Sequence, residues 1–185
     1  SMYLLTRTED MAQRHRHIEK AEAQIKHIAH LIEILTTMTR LDSGTPLETR
    51  PLNLVELVNE LVFTVRWEAR HEDLTMNAEI PHVRLMIHGD AEQLQAALRR
   101  LVENAQRYTP NGGSITIALS VSVDQRQAII EIRDTGVGIS PEALPHIFER
   151  FWRADHAHTT PGFGIGLPFA QKIIAAHGGK IDIAA

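Results

Sequence analysis

At 185 residues, 43% hydrophobic and 23% charged with a net charge of −4, the chain has the make-up of a globular protein with its own core; its acidic balance argues against a general nucleic-acid binder. It holds no cysteine, which removes disulfide frameworks, thiolate zinc sites and cysteine nucleophiles and allows a reducing compartment. No apolar run approaches the roughly 18 residues of a membrane span, no signal peptide opens the chain, and the leading Ser-Met reads as a cloning remnant on an excised fragment.

From Ile18 the apolar residues Ile18, Ala21, Ile25, Ile28, Ile32 and Leu35 step by three and four, the seam of a coiled coil or helical bundle. Leu31, Ile34, Met38 and Leu41 widen that stripe toward its C-terminal end. Glycine is absent until Gly44, and Pro46 follows it, so one long helix is predicted over about Thr8–Asp42 and a linker over residues 43–52. Such a helix alone cannot bury its apolar face; it needs a partner helix, from another chain or from sequence outside these residues.

A globular domain is predicted over residues 53–185. Asn53 reads as the cap of a helix carrying Leu54, Leu57, Val58, Leu61, Val62 and Val65. Two strand-like runs follow, Leu74–Ile80 and Val83–His88, divided by Pro81. Gly89-Asp90 opens a second helix with Leu94, Leu98, Leu101, Val102 and Ala105 on one face, stopped by Pro110-Asn111-Gly112-Gly113. Ile115, Ile117, Leu119, Val121 and Val123 alternate as a strand with one buried face; residues 124–127 turn, and Ala128–Arg133 return as a strand ending at Asp134. An irregular stretch runs to about Gly162, and a last helix over Leu167–His177 is stopped by Gly178-Gly179. Helices and strands segregated in this way predict an α+β fold, a two-layer α/β sandwich with helices on one face of a mixed sheet.

No G-x-x-x-x-G-K-[ST] loop and no G-x-G-x-x-G after a strand is present, so the common nucleotide folds are not supported. Four other motifs lie in order at element boundaries: "ENAQRYTPNGG", "DTGVGI", "FERFWRAD" and "GFGIGL". Each alone has an ordinary reading, a turn, a helix end, core aromatics or a bare glycine loop. Together they resemble the ATP-binding catalytic domain of sensor histidine kinases, a branch of the ATPase superfamily that includes gyrase, mismatch-repair and heat-shock chaperone proteins. The resemblance covers Asn53 to the chain end and implies a histidine kinase-type, Bergerat-like sandwich. "AEAQIKHIAHLIEILTTMTRLDSG" likewise resembles the second helix of that family's dimerisation and phosphotransfer hairpin, over residues 1–42.

By the family pattern Asn104 belongs to the N box and ligates Mg²⁺ through its amide oxygen, a donor that magnesium shares with phosphates. Arg107, on the same helical face, pairs with a phosphate, and Tyr108 lies beside the adenine or ribose. Asp134, an acceptor-only carboxylate, takes the adenine amino N–H, with water bridging to the ring nitrogens. Gly136 and Gly138 let the backbone approach the purine and start a mobile lid, expected over about Ser140–Pro161. Phe148 and Phe151 match the aromatic anchors of that lid, and Arg153 is a candidate phosphate contact. Gly162, Gly164 and Gly166, just ahead of a helix at Leu167, hold the β and γ phosphates on backbone N–H groups, with Pro168 in the first turn. His146, His156 and His158 fall in the lid, and the "HAH" pair without a further ligand cluster makes a poor metal site.

The implied chemistry is transfer of the γ-phosphoryl of Mg-ATP to a histidine and then to a response regulator receiver domain, by a cytoplasmic homodimer, a location compatible with a membrane-anchored parent protein; neither nucleic acid nor membrane contact by this fragment is expected. Three features depart from the pattern. The phosphoacceptor motif is missing: His17 is followed by Ile-Glu-Lys with no proline, and His27 and His30 sit on the wrong half of the hairpin. No catalytic residue is therefore assigned within the fragment, which is expected to bind ATP without phosphorylating itself. Arg100 stands where many relatives carry a first asparagine. The chain ends at "GGKIDIAA", short of the family's closing hairpin, an ending expected to leave a sheet edge exposed. A serine kinase or ATPase of the same superfamily, and a non-enzymatic nucleotide-binding regulatory module, stay open as alternatives.

Overall fold

The computed structural model describes residues 31–68, 73–124, 126–153 and 163–184, together with positions 15, 18, 21, 22, 24, 25, 28 and 29. His17, His27, His30, His156, His158 and Gly162 lie outside the described residues. The chain divides into two compact units, Ser1–Thr45 and Pro46–Ala185.

In the first unit the described positions up to Asp42 are helical, and residues 31–42 form the continuous end of this helix, α1. Ile18, Ile25, Ile28 and Ile32 of the apolar seam are exposed. Its end follows from Gly44, which adopts φ +75° and lets Thr45 N–H reach back to Arg40 O (3.0 Å) and Gly44 N–H to Leu41 O (3.1 Å). This is a Schellman stop, in which a left-handed residue turns the chain so that the last carbonyls are satisfied.

The second unit runs β1 (Arg50–Asn53), α2 (Leu54–Glu68), β2 (Thr75–Glu79), β3 (Met86–Gly89), α3 (Ala91–Tyr108), β4 (Ser114–Val121), β5 (Ala128–Asp134) and α4 (Gly166–Ala176). Among the described residues the strands form two sheets: β1 pairs antiparallel with β3, while β2, β4 and β5 form a mixed sheet with β4 central, parallel to β2 and antiparallel to β5. Three sequence readings are corrected here. Residues 50–52, assigned to the linker, are strand, because β3 supplies a ladder from Arg50↔Gly89 to Asn53↔Met86. The runs over 74–80 and 83–88 do not share a sheet, and the second narrows to Met86–Gly89. Val121 and Val123 are exposed rather than core, Val121 being the last residue of β4 and Val123 lying in the turn beyond it.

Asn53 ties β1, α2 and the approach to β3 together. Its Oδ1 accepts from Val55 N–H (3.3 Å), capping α2, and from Leu85 N–H (3.2 Å) ahead of β3, while its Nδ2 donates to Glu56 (2.9 Å). One hydrophobic cluster joins helices to sheet: Leu57, Val58, Leu61 and Val65 of α2 and Leu94, Leu98 and Val102 of α3 pack on Ile117 and Leu119 of β4. Each side chain of this size contributes about 1.5–3 kcal/mol by leaving water. Asp90, where the sequence places the opening of this helix, caps α3 through Oδ1, which accepts from Gln93 N–H (3.2 Å). The result is two layers, helices over sheet.

Candidate functional site

The site is built around the C-terminal half of α3. Alternation along β5 puts Ile130, Ile132 and Asp134 on the helix-covered face, opposite Leu119, Ile117 and Ile115 of β4. Asp134 is the last of these and meets α3 where that helix ends. Glu131 and Arg133 stand on the other face, where Arg133 Nη2 and Nε donate to Glu131 Oε1 at 2.7 and 3.2 Å. Those hydrogen bonds, with the charge of Glu131, hold the guanidinium above its ordinary pKa and direct its fork away from Asp134.

The segment after Asp134 is fixed by neighbours that the motif itself does not contain. Thr135 bridges to the start of β4, its N–H donating to Ser114 O (3.0 Å) and its Oγ1 accepting from Ser114 N–H (2.9 Å). Val137 N–H donates to the carbonyl of Tyr108 (3.2 Å), the last residue of α3, and Gly136 N–H donates to Asp134 Oδ1 (2.8 Å). These bonds carry the exposed Asp134 carboxylate to the end of the helix that bears Asn104, Arg107 and Tyr108. Asn104 is half-buried; Arg107 and Tyr108 are exposed. Gly138 adopts φ +73°, where the chain turns out of this contact.

Residues 140–151, expected to open the lid as irregular chain, instead form successive turns. Ala143 and Leu144 N–H donate to Ser140 O, His146 N–H to Ala143 O and Glu149 N–H to His146 O, and Ala143 and Ile147 are buried. Two apolar side chains four apart anchor the run, the physical reason it is ordered. Phe148 is half-buried and Phe151 is 61% exposed with φ +67°, a conformation that aromatic residues rarely adopt. Phe151 N–H donates to Gly164 O (2.9 Å), so both ends of the segment between them meet. His146 stacks on Trp152 with ring centroids 5.9 Å apart and contacts Glu149 (2.7 Å). Arg153 is half-buried.

Gly164 has φ +65°, and a side chain there would run into the Trp152 carbonyl. Ile165, buried, precedes Gly166 at the start of α4 and supplies no side-chain cap, so the first turn is closed by Phe169 N–H to Ile165 O (3.0 Å). Gly166 faces α3: a Cβ on it would sit 3.8 Å from Cβ and Cδ of Arg100. Leu167 is half-buried beside it. At its far end α4 is fastened by His177, whose Nδ1 contacts Ile173 O (2.8 Å) and whose Nε2 accepts from Asp90 N–H (2.9 Å).

The 134–138 segment therefore meets the end of α3, Gly166 lies against Arg100 of the same helix, and the aromatic motif is joined to the last glycine loop through Phe151 N–H to Gly164 O. Sequence reading missed Glu103, Thr135 and His177. Glu103 was legible as the partner of Arg99 and Arg100 at four and three residues' spacing. The contacts of Thr135 and His177 are tertiary and carry no local signal. Among the described residues no group of three His, Cys, Asp or Glu side chains is arranged to hold a metal ion. A separate shallow groove lies by α2, lined by Asn53, Glu56, Asn59, Ile80, His82 and Arg84 among others. No helix of the described residues is long and apolar enough to cross a membrane.

A family model described as the histidine kinase-, DNA gyrase B-, and HSP90-like ATPase matches residues 89–185. The chain belongs to this family, and membership of an ATPase family implies ATP binding. Its relatives are sensor histidine kinases. The signal transduction histidine-protein kinase/phosphatase MprB of Mycolicibacterium smegmatis is 34% identical over 163 residues, 87% of this chain and 32% of that protein. The sensor protein kinase PmrB of Pseudomonas aeruginosa is 31% identical over 178 residues, 96% of this chain and 36% of that protein. The solved mycobacterial sensor histidine kinase MprB superposes with a TM-score of 0.58 at 26% identity, over 70% of this chain and 80% of that one. This is a histidine kinase-type ATPase domain, as the resemblance implied. The chain spans about a third of the length of the curated relatives it matches.

Proposed function

We propose that this chain binds Mg-ATP at the surface where α3, the 134–138 segment and the start of α4 meet, and presents its γ-phosphoryl to a histidine of a dimerisation hairpin, from which it passes to a response regulator receiver domain. The observation that carries the reading is the Val137 N–H to Tyr108 O bond, because it sets Asp134 beside the helix end that bears Asn104, Arg107 and Tyr108. Asp134 accepts the adenine amino group, and Gly136 keeps side-chain atoms away from the purine. Tyr108 flanks the base or ribose. Arg107 and Arg153 contact phosphate, Phe148 and Phe151 seat the lid, and the backbone of Gly162, Gly164, Gly166 and Leu167 cradles the β and γ phosphates.

Asn104 fits magnesium by its chemistry: a single neutral amide oxygen suits an ion whose remaining ligands are phosphate oxygens and water, and no acidic cage is needed. When bound, the ion neutralises charge on the β and γ phosphates. The chain's own part is positioning: it orients the triphosphate and presents it to the acceptor. Residues 1–42 serve as the second helix of the hairpin, 43–49 as the linker and 50–185, from β1 onward, as the catalytic domain of a cytoplasmic homodimer. The acceptor histidine is not among the histidines of these residues, so the chain alone binds ATP without labelling itself.

Titration with a non-hydrolysable ATP analogue tests the site. Replacing Asp134 by Ala removes a hydrogen bond to a charged group and is expected to weaken binding about tenfold to a hundredfold. Unchanged affinity refutes the assignment of Asp134, and acid-labile label accumulating on the isolated chain refutes the placement of the acceptor. Arg100 in place of a polar amide favours a second reading, a binding module without transfer; failure to label an added hairpin that carries the acceptor histidine would select it.

A further inference from the structure

One of the two carboxylate oxygens of Asp134 is already engaged within the chain. Oδ1 accepts from Gly136 N–H at 2.8 Å, which closes an Asx turn over residues 134–136. Thr135, the middle residue of that turn, is bonded to Ser114 through both main chain and side chain: its N–H donates to Ser114 O at 3.0 Å, and its Oγ1 accepts from Ser114 N–H at 2.9 Å. Ser114 is in turn fixed as the first residue of the central strand β4, in register with Thr75 of β2. At the exit of the turn, Val137 N–H is held by Tyr108 O at 3.2 Å. The turn is thus pinned at its centre and just past its end, and the orientation of the Asp134 carboxylate is pinned with it.

That orientation matters for which purine the carboxylate can read. A carboxylate with both oxygens turned outward is a bidentate acceptor, and guanine offers it two donors side by side, the ring N1–H and the 2-amino group. Adenine offers one donor, its amino group, next to a ring nitrogen that is itself an acceptor and is repelled by a second carboxylate oxygen. With Oδ1 engaged by the Gly136 amide, one oxygen, Oδ2, is reserved for the base. A single acceptor satisfies adenine and leaves guanine with an unpaired donor, and an unpaired polar group in a binding site is what separates close analogues most strongly.

We propose that Thr135 is a positioning residue that makes the site select adenine over guanine, because by pinning the Asx turn to Ser114 it keeps Asp134 a one-oxygen acceptor. The proposal rests on the ATP-site reading above and specifies how Asp134 discriminates between purines. Thr135 acts through the carboxylate and not by touching the nucleotide. Without its hydroxyl the turn opens, Oδ1 leaves the Gly136 amide, and both oxygens become available to guanine.

Calorimetric titration of the full chain with AMPPNP and with GMPPNP, both in Mg²⁺, tests it. The parent chain is expected to prefer AMPPNP. Thr135→Val, which removes Oγ1 and keeps the shape of the side chain, is expected to weaken AMPPNP and tighten GMPPNP, narrowing the preference about tenfold, the worth of a hydrogen bond to a charged group. Thr135→Ala narrows it likewise, and Thr135→Ser, which keeps the hydroxyl, retains the parent preference. Thr135 is exposed, so water replaces its hydroxyl at the Ser114 amide and the variants keep the fold. Equal losses for the two nucleotides would make Thr135 a purely structural residue and overturn the proposal. A preference unchanged in both Thr135→Val and Thr135→Ala, or a parent chain that binds AMPPNP and GMPPNP equally well, would overturn it while leaving the ATP site standing. No AMPPNP binding by the parent chain would remove the ATP-site reading and this proposal with it.

Discussion

Gly136 lies against the end of α3 so closely that a Cβ on it would stand 2.6 Å from the carbonyl oxygen of Tyr108 and 2.6 Å from Asp134 Oδ1. Neither neighbour yields easily: one is backbone, and the other is the carboxylate that accepts the Gly136 N–H. The contact brings two residues 28 apart in the chain, one from each of two motifs, to one place.

Gly136→Ala is therefore expected to push the 134–138 segment off α3. Overpacking of this kind costs about 1–3 kcal/mol, which a urea unfolding curve measures. Nucleotide affinity falls as well, because Asp134 moves with the segment. A variant as stable as the parent with unchanged affinity would contradict the contact.

Gly164→Ala meets two obstacles, a left-handed backbone at φ +65° and the Trp152 carbonyl in the space a Cβ needs. The conformational part alone is about 1–2 kcal/mol. Gly138 has a similar φ of +73° with nothing within 4 Å, so Gly138→Ala incurs the conformational cost alone. The difference between their melting temperatures isolates the steric part; equal shifts would contradict the placement of Trp152.

His177 joins the end of α4 to the start of α3. Because Asp90 N–H is a donor, Nε2 must accept, and Nδ1 carries the proton toward Ile173 O. His177→Phe strands the Asp90 amide in a half-buried position and is expected to cost about 1–3 kcal/mol. Thermal unfolding measures this, with Lys180→Ala, on exposed chain past α4, as a neutral control.

The turn between β4 and β5 carries the clearest acid dependence. Asp124 is held below its ordinary pKa by the Ser122 hydroxyl (2.5 Å) and then by Arg126 N–H (3.2 Å). A carboxylate depressed by folding adds stability above its unfolded pKa, and that contribution is lost as pH falls through the lower folded value. The Arg126 amide resonance is therefore expected to titrate below the ordinary aspartate range, and not to titrate there in Asp124→Asn. An inflection at or above that range would contradict the turn's geometry.

Local chemistry made much of the fold legible. Asp90 and the 94, 98, 102 and 105 spacing marked α3, Gly44 marked the end of α1, and the alternation from Ile115 to Leu119 marked the buried face of β4. Pairing was not legible, because it is decided between residues distant in sequence. Nothing in the runs around Pro81 says that one joins β4 and the other β1. At the site, the motifs named residues but not their supports. The fork of Glu103 on Arg99 and Arg100 obeys helical spacing, yet only the packing of α4 on α3 gives it a location beside Gly166. The left-handed Phe151 is against the preference of its residue type, and its hydrogen bond to Gly164 is what accompanies that backbone.

Amide hydrogen exchange of the chain with and without AMPPNP tests most directly whether one nucleotide site gathers the four motifs. The account predicts joint slowing at the C-terminal half of α3, in residues 134–138 and at the start of α4. Protection confined to the groove around Glu56 and His82, or none at saturating nucleotide, would contradict it.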